Sequence, residues 1–336
     1  AKPMIVGSVA RNTWVKGDLD LDIFLLFPPS ISREELEDKG LSLGREIART
    51  FGEGWQEKYA EHPYINTKIR GIDVDLVPCY AVERATEIQS AVDRTPFHTR
   101  YLIDRIGEFT DDVLLCKQFM MAGGIYGSDQ MTEGFSGYLC ELLVLHYGGF
   151  LPLFKAASEW KRRTYIDLEG CGAKKFEDPL VVIDPVDPGR NVAAAVSLTR
   201  KFEFVELARG YLDHPSIHFF TPIREAPLTK EDFFHTLAER GTTLFAILLS
   251  TPPYIPDVVV PQLRKSLEAI ASLLERNGFS VNRSDCMMLE DRSMLLFEVM
   301  VDTLPPVKRH VGPPLWSAVN ADKFAQKYRE GTLSGP

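Results

Sequence analysis

The stretch from residue 5 to residue 24 constrains the fold more than any other part of the chain. It reads Ile-Val-Gly-Ser-Val-Ala-Arg-Asn-Thr-Trp-Val-Lys-Gly-Asp-Leu-Asp-Leu-Asp-Ile-Phe. The pattern predicts a strand over Pro3–Val6, a Gly-Ser turn, a helix over Ser8–Val15 and a second strand over Leu21–Phe27. Asp20 and Asp22 are two residues apart on the second strand, so both project from the same face.

This arrangement predicts a phosphate cradle beside a metal site. Two carboxylates at alternate strand positions have roots roughly 6–7 Å apart, a spacing that suits oxygen ligands around divalent metal. Gly7 and Ser8 open a helix whose free amides would face an anion, and Arg11 falls on the same helical face as Ser8. Each feature alone also occurs on solvated faces, but their fixed order favours nucleotidyl transfer from a nucleoside triphosphate with two Mg²⁺ ions.

A third carboxylate is expected on the strand Gly-Ile-Asp-Val-Asp-Leu-Val-Pro, residues 71–78. Asp73 and Asp75 alternate with apolar residues and therefore share one face. If this strand pairs beside Leu21–Phe27, one of the two carboxylates meets Asp20 and Asp22. The alternative is a polar outer face on an edge strand. Asp18 lies on the same strand face; it would suit an outer-sphere acid, but it is expected to be simply exposed.

The periodicity divides the chain into three parts and predicts an α+β multidomain protein. Residues 1–92 form an α/β unit, residues 93–212 are helical, and residues 213–336 form a smaller α/β unit. The predicted hairpin turns at Gly71, and Ser32 is predicted to cap a helix that runs to about Phe51. Further helices are expected at 95 onward, 112–122, 136–147, 198–212, 256–278 and 321–329, and strands at 243–250, 281–289 and 293–301.

Composition places this chain among folded proteins without a membrane anchor. Hydrophobic residues make up 45% of it, no apolar run reaches membrane-spanning length, and none resembles a signal peptide. The five scattered cysteines form no Cys-X-X-Cys pair, which favours a reducing cytoplasm; Cys116 and Cys140 are expected in the core. The first residue is Ala1 and the chain ends Gly-Thr-Leu-Ser-Gly-Pro, so we expect missing segments at both ends.

A net charge of −9 disfavours non-specific nucleic-acid binding by the whole surface. A local basic track remains compatible with that balance. The candidate runs are Lys161-Arg162-Arg163, Lys174-Lys175 and Lys308-Arg309-His310. Short basic runs are more often solvated faces.

Several longer motifs carry a family resemblance. They are Gly-Ser-Val-Ala-Arg-Asn-Thr-Trp at 7–14, Ile-Asp-Val-Asp-Leu-Val-Pro-Cys-Tyr at 72–80, Ala-Val-Asp-Arg-Thr-Pro-Phe-His at 91–98, Gly-Ile-Tyr-Gly at 124–127, Gly-Phe-Ser-Gly-Tyr-Leu-Cys-Glu-Leu-Leu at 134–143, and Asp-Pro-Val-Asp-Pro-Gly-Arg-Asn-Val-Ala at 184–193. With these motifs the chain resembles the class I, archaeal-type CCA-adding enzymes, which are tRNA nucleotidyltransferases. The resemblance implies a polymerase-β-like palm, a helical neck similar to that of poly(A) polymerase and oligoadenylate synthetase, a body, and a tail that is truncated here.

The resemblance also implies an activity and a set of site residues. The implied activity is template-independent addition of C, C and A to the tRNA acceptor arm, with CTP and ATP as substrates and two Mg²⁺ ions. The expected location is the cytoplasm, and the chain could act as a monomer or as a homodimer. The implied metal ligands and catalytic carboxylates are Asp20, Asp22 and Asp75. The implied nucleotide-binding residues are Ser8, Arg11, Thr95, His98, Lys117, Tyr126 and Arg190.

Each transferred role has a plainer alternative. Lys117 is a lone cation in an apolar helix, which suits a phosphate ligand or a surface lysine. Thr95 and His98 are implied near the sugar, but they would also suit a helix cap and a buried imidazole. Arg190 is implied at the base edge, where its fork meets acceptors on cytosine and adenine; it would equally suit a loop that caps a helix. The sequence departs from the family pattern at Asp20, where a glutamate also occurs, and at Asp18, where a small polar residue is common.

Two other functions compete with CCA addition. A poly(A) polymerase or a second-messenger synthetase would share the helical neck. A catalytically inactive RNA-binding module would not need the three carboxylates, Ser8 and Lys117 together, so that alternative is disfavoured.

Overall fold

The computed structural model describes residues 1–17, 19–59, 62–172, 174–222, 229–306 and 309–330. Asp18 and Lys308 lie outside the described residues, so the exposure predicted for Asp18 stays a prediction. The chain divides into two compact units, residues 1–225 and residues 226–336. Both contain helices and strands, as the α+β class predicts.

A five-stranded sheet occupies the first part of the first unit, with strand order β1-β2-β5-β4-β3. The strands are β1 (Lys2–Val6), β2 (Asp20–Phe27), β3 (Trp55–Tyr59), β4 (Pro63–Ile69) and β5 (Ile72–Tyr80). β5 runs parallel to β2, and the other neighbouring pairs are antiparallel. The predicted hairpin between β4 and β5 is confirmed.

Two helices connect these strands, α1 (Gly7–Ala10) and α2 (Arg33–Phe51). α1 ends five residues before the predicted Val15, because Asn12 has a φ of 57° and the Thr13 amide donates to the Ser8 carbonyl at 2.9 Å. Arg11 therefore follows α1 and does not share its face with Ser8. α2 begins as predicted after Ser32, whose hydroxyl accepts a hydrogen bond from the Glu35 amide at 3.2 Å.

The rest of the first unit is mainly helical. Its elements are α3 (Thr95–Ile103), α4 (Thr110–Ala122), α5 (Gly137–Tyr147), α6 (Phe150–Ala157), β6 (Thr164–Ile166), β7 (Leu180–Val182) and α7 (Leu198–Asp213). Their apolar faces bury a common core in which Phe119, Phe154 and Phe204 are inaccessible to solvent. Cys116 and Cys140 belong to this core, as predicted.

The second unit has a three-stranded antiparallel sheet with strand order β8-β10-β9. Its elements are α8 (Lys230–Arg240), β8 (Thr243–Ser250), α9 (Pro256–Arg276), β9 (Val281–Met288), β10 (Arg292–Val299) and α10 (Ala318–Lys327). α9 packs on the sheet and buries Val259 and Leu263 with Leu295 and Phe297. The three predicted strands end within two residues of the observed bounds.

Within the described residues, no single helix has both the length and the apolar composition needed to cross a membrane. In the part of the chain that the structure describes, one pair of helices, α5 and α6, satisfies those two criteria together, and a bend of 92° separates them. Their side chains, including Leu142, Leu143 and Phe154, lie in the core of the first unit.

Candidate active site

Two neighbouring strands bring the predicted carboxylates to one face of the sheet. In the parallel register of β2 and β5, Asp22 lies opposite Asp75 and Asp20 lies opposite Asp73. Asn66 donates from Nδ2 to Asp75 Oδ1 at 2.6 Å. The expected pairing of these strands is therefore confirmed, and Asp75 is the carboxylate directly across from Asp22.

The Asp22 carboxyl has an unusual electrostatic environment. Its pKa is raised to about 6, first by burial and then by the negative charges of Asp75 and Asp20, while Arg11 opposes the shift. Three mutually repelling carboxylates form a hard oxygen donor set of the kind that Mg²⁺ prefers. No group of three or more His, Cys, Asp or Glu side chains in the described part of the chain already stands at metal-ligand spacing. The donor chemistry of Asp20, Asp22 and Asp75 fits a divalent metal.

Gly7 leaves room for the Asp22 carboxylate at the β1–α1 turn. Its φ is +70°, a left-handed conformation that side chains disfavour. A Cβ on Gly7 would lie 2.1 Å from Asp22 Oδ2. The Gly-Ser turn therefore serves two purposes, because it turns the chain and lets the backbone approach the carboxylate.

Arg11 and Lys117 converge on one buried anion, Glu141 of α5. Arg11 Nε lies 3.1 Å from Glu141 Oε1, and Arg11 Nη2 lies 2.9 Å from Glu141 Oε2. Lys117 Nζ lies 3.6 Å from Glu141 Oε1 and donates to the Thr13 carbonyl at 2.8 Å. Lys117 is 2% exposed, so the surface-lysine alternative is wrong.

Tyr126 lies beside the same cluster. A Cβ on Gly137 would lie 2.9 Å from Tyr126 Oη and 3.4 Å from Lys117 Nζ. Gly137 and Glu141 are four residues apart and therefore share one face of α5. Arg11, Lys117 and Tyr126, which the sequence places far apart, thus meet along that face.

Thr95, His98 and Arg190 line a second region, a cavity of about 620 Å³ in the first unit. Buried Asp184 connects two of them, because its Oδ2 lies 2.9 Å from both His98 Nε2 and Arg190 Nη1. The same two contacts help lower the pKa of Asp184 against the effect of burial. Asp184 also accepts a hydrogen bond from the Val186 amide at 3.1 Å, which helps to hold the loop that carries Arg190.

The structure corrects the plainer alternatives for two residues of this cavity, Thr95 and His98. Thr95 is the first residue of α3 and directly follows a 3₁₀ helix over Ala91–Arg94, so it does not cap α3. His98 is not merely a buried imidazole, because it lines the cavity, stacks on Tyr138 at a ring distance of 4.0 Å and approaches Asp184.

Sequence reasoning missed Tyr138 and Glu141 as members of the site. Both fall in the motif at 134–143, so the motif was noticed but neither side chain was given a role. Glu141 carried a readable signal, since a lone acid in an apolar helix requires a buried cation. Tyr138 carried no such signal, because an aromatic residue in that helix is equally typical of core packing.

Comparisons with known proteins agree with this geometry. Sequence-family models match in three places: the nucleotidyltransferase domain at residues 1–98, the second domain of tRNA nucleotidyltransferase at 111–221, and the C-terminal domain of the CCA-adding enzyme at 240–335. Among solved structures, an E. coli MS115-1 CdnC:HORMA-deltaN complex is similar with a TM-score of 0.50 and 17% identity, over 66% of this chain and 79% of that one. This likeness concerns the fold alone. The nucleotidyltransferase-domain match at residues 1–98 supports the polymerase-β-like nucleotidyltransferase class.

Much closer relatives align along the whole chain. A CCA-adding enzyme of Methanoregula boonei is 63% identical over 336 residues, which are 100% of this chain and 73% of that protein. A CCA-adding enzyme of Methanosarcina barkeri is 45% identical over 333 residues, which are 98% of this chain and 73% of that protein. Identity at this level over the full length shows common descent, and the chain belongs to the archaeal-type CCA-adding enzyme family of the nucleotidyltransferase superfamily.

Proposed function

We propose that this chain adds C, C and A to the 3′ end of tRNA, using CTP and ATP and releasing pyrophosphate. The parallel register that sets Asp22 opposite Asp75, beside the Gly7 turn, carries the nucleotidyl-transfer part of this proposal. The names of the relatives, which align over the whole chain, carry the choice of CCA addition. They do not favour the alternative of a poly(A) polymerase.

Asp20, Asp22 and Asp75 are proposed to hold two Mg²⁺ ions. When bound, Mg²⁺ lowers the pKa of a coordinated hydroxyl and neutralises phosphate charge. The three side chains contribute negative charge on one sheet face, and the Asn66 amide fixes one Asp75 oxygen at 2.6 Å. None of them forms a covalent intermediate in this scheme; their role is to bind and orient.

Ser8, Arg11, Lys117 and Tyr126 are proposed to bind the triphosphate. Support comes from the convergence of Arg11, Lys117 and Tyr126 on one face of α5, and from the influence of Arg11 on the Asp22 carboxyl. A guanidinium and an ammonium that are both buried are strong ligands for phosphate oxygens. Ser8 lies on the turn that also carries Gly7.

Thr95, His98 and Arg190 are proposed to bind the sugar and base in the cavity that they line. Asp184 restricts His98 and Arg190 to defined orientations through its two 2.9 Å contacts. Arg190 keeps a side chain that is 39% exposed, so further donors remain available to a ligand. Its fork can meet acceptors that cytosine and adenine share.

The proposal also includes the domain boundaries, the tRNA contact and the location that the sequence predicts. They are a palm at 1–92, a neck at 93–212, a body at 213–336, the acceptor arm as the tRNA contact, and the cytoplasm as the location. Phe219 and Phe220, which follow the proposed boundary at 212, also pack on Phe119 of the helical core. Sedimentation of the chain with and without tRNA would separate a monomer from a homodimer.

A single-nucleotide extension assay tests the function. It uses Mg²⁺ and a tRNA that ends at the discriminator base, with each labelled nucleotide supplied alone and then in pairs. The expected result is two C additions from CTP alone and one A after ATP is supplied. Long A tails would support the poly(A) alternative, and failure of CTP to be incorporated would contradict CCA addition.

A further inference from the structure

Glu141 is inaccessible to solvent, and nothing in the proposed chemistry requires a carboxylate at that position. It nevertheless contacts both cations assigned to the triphosphate. Arg11 makes two contacts with it, at 3.1 and 2.9 Å, and Lys117 Nζ lies 3.6 Å away. Two cations with one anion leave this cluster with a net positive charge, so it can still attract a triphosphate.

Threonine side chains complete the arrangement around Arg11. Thr13 donates a hydrogen bond from Oγ1 to Glu141 Oε1, and Thr99 of α3 contacts Arg11 Nη1 at 3.3 Å. Thr13 also accepts from Lys117 through its carbonyl at 2.8 Å. The segment that follows α1 is therefore tied to α3, α4 and α5 at once, and Glu141 is the group that most of these contacts share.

We propose that Glu141 is a positioning residue for nucleotide binding: it holds Arg11 and Lys117 in the orientation that receives the triphosphate. The inference rests on the proposed function of those two cations. Arg11 donates one hydrogen bond to Glu141 Oε1 and makes an ion-pair contact with Glu141 Oε2. A buried guanidinium held at two points in this way loses rotational freedom before the nucleotide arrives. The remaining N–H groups can then bind phosphate without a further ordering cost.

The proposal distinguishes orientation from simple charge. If Glu141 acted only as a negative charge, its neutralisation would make the cluster more positive and tighten triphosphate binding. If it orients Arg11, its neutralisation weakens binding, because a glutamine amide places a donor against one of the Arg11 donors. The two cases predict opposite signs for the same substitution.

Glu141→Gln tests this directly, because it keeps the shape of the side chain. We expect Mg-ATP and Mg-CTP to bind about tenfold more weakly in calorimetry without RNA, and KM to rise equally for both nucleotides. KM for tRNA should stay within twofold, since the change affects only the triphosphate. If Glu141 had only a structural role, the substitution would lower Tm, and any change in KM would be the same for the nucleotides and for tRNA.

A double-mutant cycle with Arg11→Gln shows whether Glu141 acts through Arg11. The double variant should bind nucleotide less weakly than the sum of the two single effects, because Glu141 acts in part through Arg11; independent roles would give the full sum. Glu203→Gln is the matched control, because Glu203 is 41% exposed on α7 and pairs only locally with Arg200 at 2.7 Å. It should leave both KM values unchanged.

Unchanged or tighter nucleotide binding by folded Glu141→Gln would overturn the proposal, as would full additivity in the cycle. Should Glu141→Gln not fold, Thr13→Val removes one of the bonds to the carboxylate and should raise the nucleotide KM severalfold; no rise in that variant would equally overturn it. These results are separable from the proposed function, which would fail instead if the wild-type chain added neither C nor A.

Discussion

Gly7 has a φ of +70°, and its backbone lies close to Asp22, a proposed metal ligand. We therefore expect even one added methyl group at this position to lower activity. A methyl group at this position would lie 2.1 Å from Asp22 Oδ2 and must displace the carboxylate or the turn. We expect Gly7→Ala to lower kcat by about 100-fold, since a displacement of about 1 Å at a reacting centre has that effect. Steady-state C addition measures it.

Gly71 supplies the matched control at the residue scale. Its φ is +77°, but a Cβ there would meet no atom within 4 Å. Gly71→Ala should therefore cost about 1 kcal/mol of stability through backbone strain and leave kcat unchanged. Equal losses of activity in both variants would mean that strain, and not the approach to Asp22, explains the effect of Gly7→Ala.

The raised pKa of Asp22 predicts a pH-dependent cost to stability in the absence of metal. Its folded-state pKa of about 6 lies above the ordinary value of 3.8, so the penalty is full above pH 6 and disappears as the pH falls towards 4. Asp22→Asn should stabilise the metal-free protein by about 1–3 kcal/mol at pH 8. Urea unfolding at pH 8 and at pH 4 measures the difference.

Asp73→Asn is the control for that experiment, because Asp73 is 51% exposed and only weakly paired with Lys68 at 3.8 Å. Its effect should stay within about 0.5 kcal/mol at either pH. Added Mg²⁺ should raise the Tm of the wild type at pH 8 and raise that of Asp22→Asn much less. If added Mg²⁺ raised the Tm of both proteins by the same amount, the assignment of Asp22 as a metal ligand would be contradicted.

At the scale of single elements, α2 has a side-chain cap at its N-terminus. The Ser32 hydroxyl accepts a hydrogen bond from the Glu35 amide at 3.2 Å, and the helix buries Leu36 and Leu41 under the sheet. Ser32→Ala should cost about 1 kcal/mol of unfolding free energy without changing nucleotide addition. Exposed Ser30 in the preceding turn offers the control, and Ser30→Ala should have no measurable effect.

The elements that sequence reasoning missed have physical explanations. All five residues of β3 are exposed, so no alternation of apolar and polar positions marks Trp55–Tyr59 as a strand. α6 has eight residues and contains Pro152, which obscures its helical pattern. α8 could have been found, because Thr229 and Asp232 form a readable N-terminal signal and the Asp232 amide does donate to Thr229 Oγ1 at 3.1 Å.

At the scale of the whole molecule, the net charge of −9 disfavours RNA binding by the surface in general, so we expect RNA to bind to a local basic patch. The side chains of the run 161–163 are exposed. The backbone at the start of this run is held in place, because the buried ammonium of Lys201 donates a hydrogen bond to the Lys161 carbonyl at 2.6 Å and another to the Pro179 carbonyl at 2.8 Å. We expect triple alanine substitution at 161–163 to weaken tRNA binding and to reduce the slope of log K against log salt by about 2. kcat at saturating tRNA should not change.

The control for that prediction removes three exposed cations elsewhere, Lys39 and Arg49 of α2 and Lys58 of β3. Loss of the same charge without loss of tRNA affinity would show that position matters and not total charge. Equal weakening by both triple variants would instead indicate that only the overall charge balance governs tRNA binding.

The sequence by itself determined most of the local elements and the residue types of the site, but not β3, α6, α8 or the end of α1. Alternation marked β2 and β5, the Gly-Ser turn marked the start of α1, and the acidic pair Asp20 and Asp22 marked the metal chemistry. These signals were readable because they depend on neighbours a few residues away. The helical periodicity of α5 and α7 was readable for the same reason.

Only the tertiary structure decided which distant groups meet. The contact between Arg11 and Glu141 spans 130 residues, and that between His98 and Asp184 spans 86. Periodicity carries no information over such separations, because burial of a charge is settled by packing against other elements. The fold therefore turned Lys117 from an isolated cation in an apolar helix into one member of a buried network around Glu141.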